Sequence, residues 1–268
     1  MLIRADGTYL YTLPSVVDDI DFAISHVIRG ADHVTNTGAQ IELFLALGTP
    51  PPAFGHLPLL TDASGEGLSK RLGSLSLADL RDQGIEPLAL ASYLSRLGAG
   101  AAEPRTSLDA IAADFDLARF HGGAPRFDLT ELSAMNARLM HLLAFAAVAD
   151  RLPPTADEVL WVAIRGNIRR LSDVADWLRI CRDAIEPRIE DADLALAAAE
   201  LLPAEPWDSS TWGGWTSAVK RATGKSGRAL YHPLRLALTG REDGPEMKHL
   251  LPLVGRRRAL ARLRGETG

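Results

Sequence analysis

A lysine and an arginine at positions 70 and 71, set in a loop with glycines at 65, 67 and 73, are the most chemically suggestive feature of this 268-residue sequence. The tetrapeptide Leu68-Ser69-Lys70-Arg71 follows the apolar run Phe54 to Leu60, which reads as a β-strand. Glycines let a backbone approach a ligand closely. A lysine ammonium is a mobile point charge for oxygens that gain negative charge in a transition state. A flexible cationic loop beyond the C-terminal end of a strand is what closing over a phosphate group requires. The same residues also suit an ordinary solvated loop, and the loop alone does not decide between the two.

Arg29 closes another apolar run, Ile24 to Ile28. A guanidinium there could grip a carboxylate with two parallel hydrogen bonds, or pair with Asp18, Asp19 or Asp32. Tyr11 and Ser15, four residues apart on a turn of helix, could add hydroxyl contacts. His26, His33 and His56 lack the spacing of a metal motif such as His-Glu-x-x-His, and Cys181 is distant, so no metal site is expected. No Gly-x-Ser-x-Gly elbow, Walker loop or dinucleotide glycine fingerprint is present. Further on, Arg165, Arg169, Arg170, Arg179 and Arg182 accompany Trp161 and Trp177. Arginines beside aromatic rings can hold phosphates and stack unpaired bases. The same pattern fits an amphipathic helix with buried tryptophans and solvated arginines.

The elements that must position these residues change character along the chain. The strand ending near Ile28, a helix capped by Thr37 and running from Ala39 to Leu47, and the strand from Phe54 to Leu60 make a parallel-sheet unit. Such sheets bind ligands beyond the C-terminal ends of their strands. After Ser74 the pattern is helical: 76–83, 87–97, a longer amphipathic stretch over 128–149, and then, past Pro153-Pro154, a stretch over 156–182. Helices are expected at 191–201, 209–223, 233–239 and 245–264. The fold class is therefore mixed α/β followed by all-α.

Hydrophobic residues make up 47% and charged residues 24% of the chain, which is the balance of a globular protein with a buried core. A formal net charge of −5 argues against a simple basic coat protein for nucleic acid, although local fields decide binding. The arginines at 256–258, 262 and 264 make the end of the chain locally positive, or simply a solvated helix. A single cysteine and the absence of an apolar leader or of a membrane-length apolar run point to a cytoplasmic protein without a membrane partner.

Placed in order, these features resemble one family. Asp6-Gly7-Thr8 through Tyr11, Val16-Val17-Asp18-Asp19, and Ser25-His26-Val27-Ile28-Arg29-Gly30 with Asp32 are similar to the second half of the catalytic domain of glutamyl-tRNA synthetase. So are Thr37 and Gln40, Ala46-Leu47-Gly48, His56-Leu57-Pro58-Leu59-Leu60, and Gly67-Leu68-Ser69-Lys70-Arg71. The last looks like the family's form of the class I Lys-Met-Ser-Lys-Ser signature. Pro87-Leu88-Ala89 to Leu97-Gly98 matches the helix after it. Gly224-Lys225-Ser226-Gly227-Arg228 and Pro233 to Gly240 resemble the anticodon-binding part.

The resemblance implies the second half of a Rossmann-like class I catalytic domain over 1–73, a helical stem-contact region over 74–153 and an all-helical anticodon-binding domain over 154–268. It implies glutamate–tRNA ligase chemistry: ATP, with Mg2+, activates L-glutamate as glutamyl-adenylate for transfer to tRNA(Glu). Tyr11, Ser15 and Arg29 then match glutamate-pocket positions. Asp32, Leu60 and Leu68 lie along the ATP site, and Lys70, flanked by Ser69 and Arg71, stabilises the leaving pyrophosphate. Arg165, Arg169, Arg179 and Arg182 are the arginines expected to meet tRNA. Ser15 stands where many members carry asparagine, and Gly67 where the signature has its first lysine. No His-Ile-Gly-His-like element, first glycine-rich strand-helix turn or acceptor-stem insertion is present in this sequence. The expectation is a monomeric C-terminal portion that is a poor catalyst by itself, unless a separate N-terminal half completes it. A noncatalytic tRNA-binding module derived from the synthetase and a structural helical adaptor without tRNA affinity are the other readings.

Overall fold

A computed structural model describes residues 2–62, 65, 76–97, 100, 103–120 and 123–268. Leu68, Ser69, Lys70 and Arg71 lie outside the described residues. The chain forms two compact units. One holds residues 1–79, 91–103 and 109–130; the other holds 80–90, 104–108 and 131–268.

In the first unit, helix α1 (Thr12–Asp21) packs on α2 (Val34–Ala46), with Val16 and Phe44 buried between the elements. Strand β1 (His26–Gly30) pairs in parallel with β2 (Ala53–Leu57), in a register that sets Arg29 beside His56 and Gly30 beside Leu57. A helix between two adjacent parallel strands is the crossover that parallel pairing demands. Side chains alternate across a strand, so Val27 and Arg29 share one face and Ile28 lies on the other, half exposed.

The expected parallel unit is present with shifted boundaries. β1 begins at His26 rather than Ile24, because Ala23 takes φ 51° and the Ile24 N–H closes back on the Asp19 carbonyl, which ends the α1 turn. α2 begins at Val34, ahead of Thr37, because a 3-10 turn over Ala31–His33 feeds straight into it. Thr37 is therefore inside the helix, its hydroxyl donating to the His33 carbonyl at 3.1 Å in place of a capping bond. β2 stops at Leu57, since Pro58 has no N–H for a ladder. Beyond it Thr61 bridges to Arg126: the Thr61 N–H donates to the Pro125 carbonyl at 3.0 Å, and the Phe127 N–H to the Thr61 carbonyl at 2.8 Å.

Three short helices, α3 (Leu77–Asp82), α4 (Pro87–Leu94) and α5 (Leu108–Asp114), contribute residues to both units. The second unit otherwise runs from α6 (Leu129–Leu142) through α7 (Glu158–Ile164), α8 (Asp173–Arg182), α9 (Ala192–Glu200), α10 (Thr211–Thr223), α11 (Arg228–Thr239), α12 (Met247–Val254) and α13 (Arg256–Leu263). The stretch over 156–182, expected as one helix, is two. Asp157 caps α7 by accepting from the Leu160 N–H at 2.9 Å, and a 3-10 turn over Arg165–Asn167 ends it. Asp173 then accepts the Arg169 and Arg170 N–H groups at 2.8 and 3.1 Å where α8 opens. The helix expected at 233–239 starts at Arg228, with Pro233 inside it, and the one expected over 245–264 is parted by Gly255 at φ 76°.

Two buried polar side chains lock this unit. Asn136, 1% exposed, accepts from the Glu86 N–H and donates to the Gly84 and Arg169 carbonyls at 2.8, 3.1 and 2.7 Å. Arg262, in the basic run read as a positive or solvated end, is fully buried. It donates to the carbonyls of Gly268, Leu238 and Asp183 at 2.6, 2.7 and 2.9 Å. Burial pushes its pKa down to about 10, which leaves it charged at neutral pH. Cys181 lies buried nearby; burial pushes its thiol up to about 12, against the pull of Arg262, Arg182 and Arg258.

Candidate functional site

The C-terminal end of β1 brings Arg29 under α1 and α2. Its Nη2 donates to Thr37 Oγ1 at 2.8 Å and to Gln40 Oε1 at 2.6 Å, and its Nη1 lies 3.4 Å from the Tyr11 hydroxyl. The guanidinium also sits over the Phe54 ring, 5.4 Å from its centroid. Buried Nε has no partner among the described residues. None of the carboxylates of Asp18, Asp19 or Asp32 lies within ion-pair distance of Arg29 among the described residues. Asp19 still feels its charge: burial raises that carboxyl, while Arg29 pulls it down and Asp18 adds to the rise. Gln40 completes the cluster by donating from Nε2 to Ser15 Oγ at 2.8 Å, and Ser15 donates to the Thr12 carbonyl at 3.2 Å. Thr37 Oγ1 lies 3.0 Å from His56 Nε2.

Tyr11 and Arg29 are thus gathered at one strand end, with Ser15 behind them through Gln40. Tyr11 is 55% exposed, so its hydroxyl and Arg29 Nη1 form a pair of donors that an incoming carboxylate could bridge. Asp32 follows within the 3-10 turn, its carboxylate folded over Gly30. A Cβ at Gly30 would meet Asp32 Oδ1 at 2.4 Å and Leu59 Cδ2 at 3.0 Å, so a larger residue there would displace the Asp32 carboxylate. Leu60 lies past β2, half exposed. Sequence reasoning left Thr37, Gln40 and His56 without a role in this cluster. Their signal was limited to the i, i+3 spacing of Thr37 and Gln40, which sets both on the α2 face toward Arg29.

The arginines expected to meet nucleic acid are less alike than their spacing suggests. Arg165 donates to the Leu143 carbonyl at 3.0 Å, and Arg182 is held by Asp157 and the Thr155 carbonyl. Arg169 and Arg179 are exposed, and their guanidinium groups have no partner among the described residues. Trp161 and Trp177 are both buried.

A different part of the helical unit has the chemistry of a base-binding pocket. A cavity of about 300 Å³ is lined by Trp212, Tyr231, Arg235, Glu246, Met247 and Lys248. The Tyr231 and Trp212 rings lie 6.3 Å apart and tilted by 38°, and Trp212 meets the buried Trp215 edge-on at 5.6 Å. Arg235 donates from Nη2 to the Pro245 carbonyl at 2.9 Å, and burial lowers its pKa against the pull of Asp243. The turn it holds needs Gly244, where a Cβ would strike Trp177 at 2.3 Å. α11 also borders a second groove, of about 720 Å³, lined by Arg188, Arg228, His232, Arg241, Glu242 and Asp243. Arg188 pairs with Glu242 at 3.7 Å and Arg241 with Asp176 at 2.8 Å, which leaves Arg228 without an ion-pair partner among the described residues. The spacing of Tyr231 and Arg235, four apart on α11, could have pointed to this pocket; Trp212, on α10, could not.

Among the described residues no group of three or more His, Cys, Asp or Glu side chains could hold a metal ion. No helix of the described residues is long and apolar enough to cross a membrane.

A parallel strand pair with Arg29 near its end, followed by a helical unit with an aromatic, basic pocket, is the order of parts of a class I aminoacyl-tRNA synthetase, and the family matches place the chain in that class. Residues 1–133 match the family described as "tRNA synthetases class I (E and Q), catalytic domain", and residues 162–266 match the "Anticodon binding domain". Glutamate–tRNA ligase 1 of Parvibaculum lavamentivorans is 53% identical over 273 residues, spanning 100% of this chain and 61% of that protein. The glutamate–tRNA ligase of Azospirillum brasilense is 52% identical over 273 residues, with the same two coverages of 100% and 61%. A crystal structure of a glutamate tRNA ligase from Elizabethkingia meningosepticum, in complex with its amino acid, superposes with a TM-score of 0.78. At 23% identity, over 98% of this chain and 60% of that one, it speaks for the fold alone. The chain belongs to the glutamate–tRNA ligase family, and corresponds to the C-terminal portion of its members. It spans about three-fifths of the length of the curated relatives it matches.

Proposed function

We propose that this chain carries the glutamate-binding strand end and the tRNA-binding helices of a glutamate–tRNA ligase, which attaches L-glutamate to tRNA(Glu) through a glutamyl-adenylate. The observation that carries the reading is the Arg29 guanidinium, held by Thr37 and Gln40 beside the Tyr11 hydroxyl at the C-terminal end of a parallel strand. A side-chain carboxylate bridging Arg29 and Tyr11 would select glutamate over its amide, because a neutral amide brings no charge to the guanidinium. ATP, with Mg2+ carried on its phosphates, would be activated past the ends of β1 and β2, near Asp32 and Leu60. Lys70, with Ser69, Arg71 and Leu68, is proposed to close over those phosphates on the strength of the motif. Trp212, Tyr231 and Arg235 would hold an unpaired base of the anticodon, with Arg228, Arg169 and Arg179 on phosphates, while Arg165 and Arg182 serve the fold around them.

Three measurements test this on the chain itself: calorimetric titration with L-glutamate, tRNA(Glu) binding, and glutamate-dependent ATP–pyrophosphate exchange. Glutamate binding that vanishes in Arg29→Ala supports the ligase reading; binding unaffected by that change refutes it. Tight tRNA(Glu) binding with neither glutamate binding nor exchange would instead favour a noncatalytic tRNA-binding module.

A further inference from the structure

We infer that Gln40 is the positioning residue that sets the Arg29 fork for its carboxylate, and that Ser15 acts through Gln40 rather than on the ligand. This inference rests on the reading of the cluster as the glutamate site. Among the described residues, Arg29 is anchored firmly through one nitrogen. Among those residues Nε has no partner, Nη1 reaches the Tyr11 hydroxyl alone at 3.4 Å, and both good bonds, to Thr37 and Gln40, leave from Nη2. The shortest goes to Gln40, whose side chain is 1% exposed and cannot drift with solvent.

The direction of every bond in the chain is forced. A guanidinium only donates, so the Gln40 oxygen must face Arg29 and its amide nitrogen must face Ser15. Ser15 Oγ accepts that N–H at 2.8 Å and passes its own proton to the Thr12 carbonyl at 3.2 Å. An amide with both ends committed cannot flip, so α1, α2 and β1 together hold the guanidinium plane. Nη1, beside Tyr11, is left to meet the ligand. Ser15, with its oxygen already accepting from Gln40 and its proton spent on Thr12, has no donor to offer a carboxylate.

The experiment compares binding of L-glutamate and of L-glutamine to the full chain and to Arg29→Ala, Gln40→Met, Gln40→Glu and Ser15→Ala, with circular dichroism as a control for folding. Loss of an acceptor to a charged group should weaken glutamate by roughly tenfold or more in Gln40→Met, and loss of a neutral bond by about threefold in Ser15→Ala. Gln40→Glu keeps an acceptor for Arg29 in nearly the same shape but cancels its charge. It should fold normally, lose glutamate affinity by roughly tenfold or more, and lose the preference for glutamate over glutamine. A merely structural Gln40 would leave glutamate affinity and the preference intact in a folded Gln40→Met, which removes the acceptor without adding a charge. Should Gln40→Met fail to fold, Gln40→Glu and Ser15→Ala decide. If Arg29→Ala abolishes the preference while Gln40→Glu retains native affinity and preference, the positioning role is overturned and the site stands. If the unsubstituted chain shows no preference, or Arg29→Ala keeps it, both readings fall.

Discussion

Tyr231→Ala is the cleanest single perturbation of the proposed base pocket. The side chain is 47% exposed, and its hydroxyl has no hydrogen-bond partner among the described residues, so truncation leaves neither a core cavity nor an orphaned polar atom. Trp212 is less suitable, because its ring also braces the buried Trp215. The Tyr231 and Trp212 centroids, 6.3 Å apart and tilted by 38°, are too close to sandwich a base, so a base would stack on the open face of Tyr231. Such stacking is worth about 1–3 kcal/mol per base, or roughly 5- to 150-fold in affinity. With one half-exposed face in play the lower part of that range applies, and a loss of about tenfold is expected. The assay is fluorescence anisotropy of labelled tRNA(Glu) across a series of salt concentrations. Tyr231 carries no charge, so its loss should shift the plot of log affinity against log salt without changing the slope. Arg228→Ala, which removes one cation, should flatten that slope by about one unit. Tyr231→Phe should bind as the unsubstituted chain does. Native affinity in Tyr231→Ala, or a slope change as large as that of Arg228→Ala, would refute the stacking argument.

Two further outcomes concern the stability of the helical unit, which contains all five tryptophans, so that tryptophan fluorescence reports on it alone. Arg262→Met leaves the Leu238 and Asp183 carbonyls without donors, while the Gly268 carbonyl keeps the Ile185 N–H. At about 1–3 kcal/mol for each orphaned group, urea unfolding should show a loss of about 3 kcal/mol, and a change below about 0.5 kcal/mol would be incompatible with that accounting. Acid should also weaken the unit. Asp157 is held below its ordinary 3.8 by the Leu160 N–H and then by Arg182, and Asp191 by Lys225 and then the Leu194 N–H. Because both folded-state values are depressed, their contribution is present above 3.8 and is lost as pH falls through the lower folded-state values. The urea midpoint should therefore drop below about pH 4, and Asp157→Asn, which still caps α7 but does not titrate, should show a shallower drop. An identical pH profile in Asp157→Asn would count against this carboxylate's part.

The parallel unit was legible because its signals are local. β-branched runs, Gly30 at the end of β1 and the three prolines before β2 bound its strands within a few residues, whatever the rest of the chain does. The errors came where a single residue overrode periodicity. Gly255 divides an apolar repeat that continues on both sides of it, and the turn over Arg165–Asn167 does the same for 156–182. Pro233 opens the range expected as helix at 233–239, yet α11 begins five residues earlier and carries the proline inside. Arg262 was hidden for another reason. An arginine among arginines reads as solvated, and only the meeting of α11, α13, the end of α8 and the chain's last residue supplies three carbonyls at one point.

The site divides along the same line. Arg29 could be singled out because a cation that closes an apolar strand lies near the C-terminal edge of its sheet, where parallel sheets commonly bind ligands, whatever it then meets. What it meets was not legible: Tyr11, Thr37, Gln40 and Phe54, with Ser15 behind Gln40, come from around both helices and the neighbouring strand, at separations from 8 to 25 residues along the hydrogen-bonded links among them. Ser15 shows why residue type alone misleads there. Read beside Tyr11 it offers a hydroxyl to a ligand, because a serine can donate as well as accept. Once Gln40 donates to it and Thr12 accepts from it, that freedom is spent, and the serine becomes the far end of a brace whose near end is the guanidinium. A residue's role at this strand end therefore follows from which of its donors and acceptors the fold has already used.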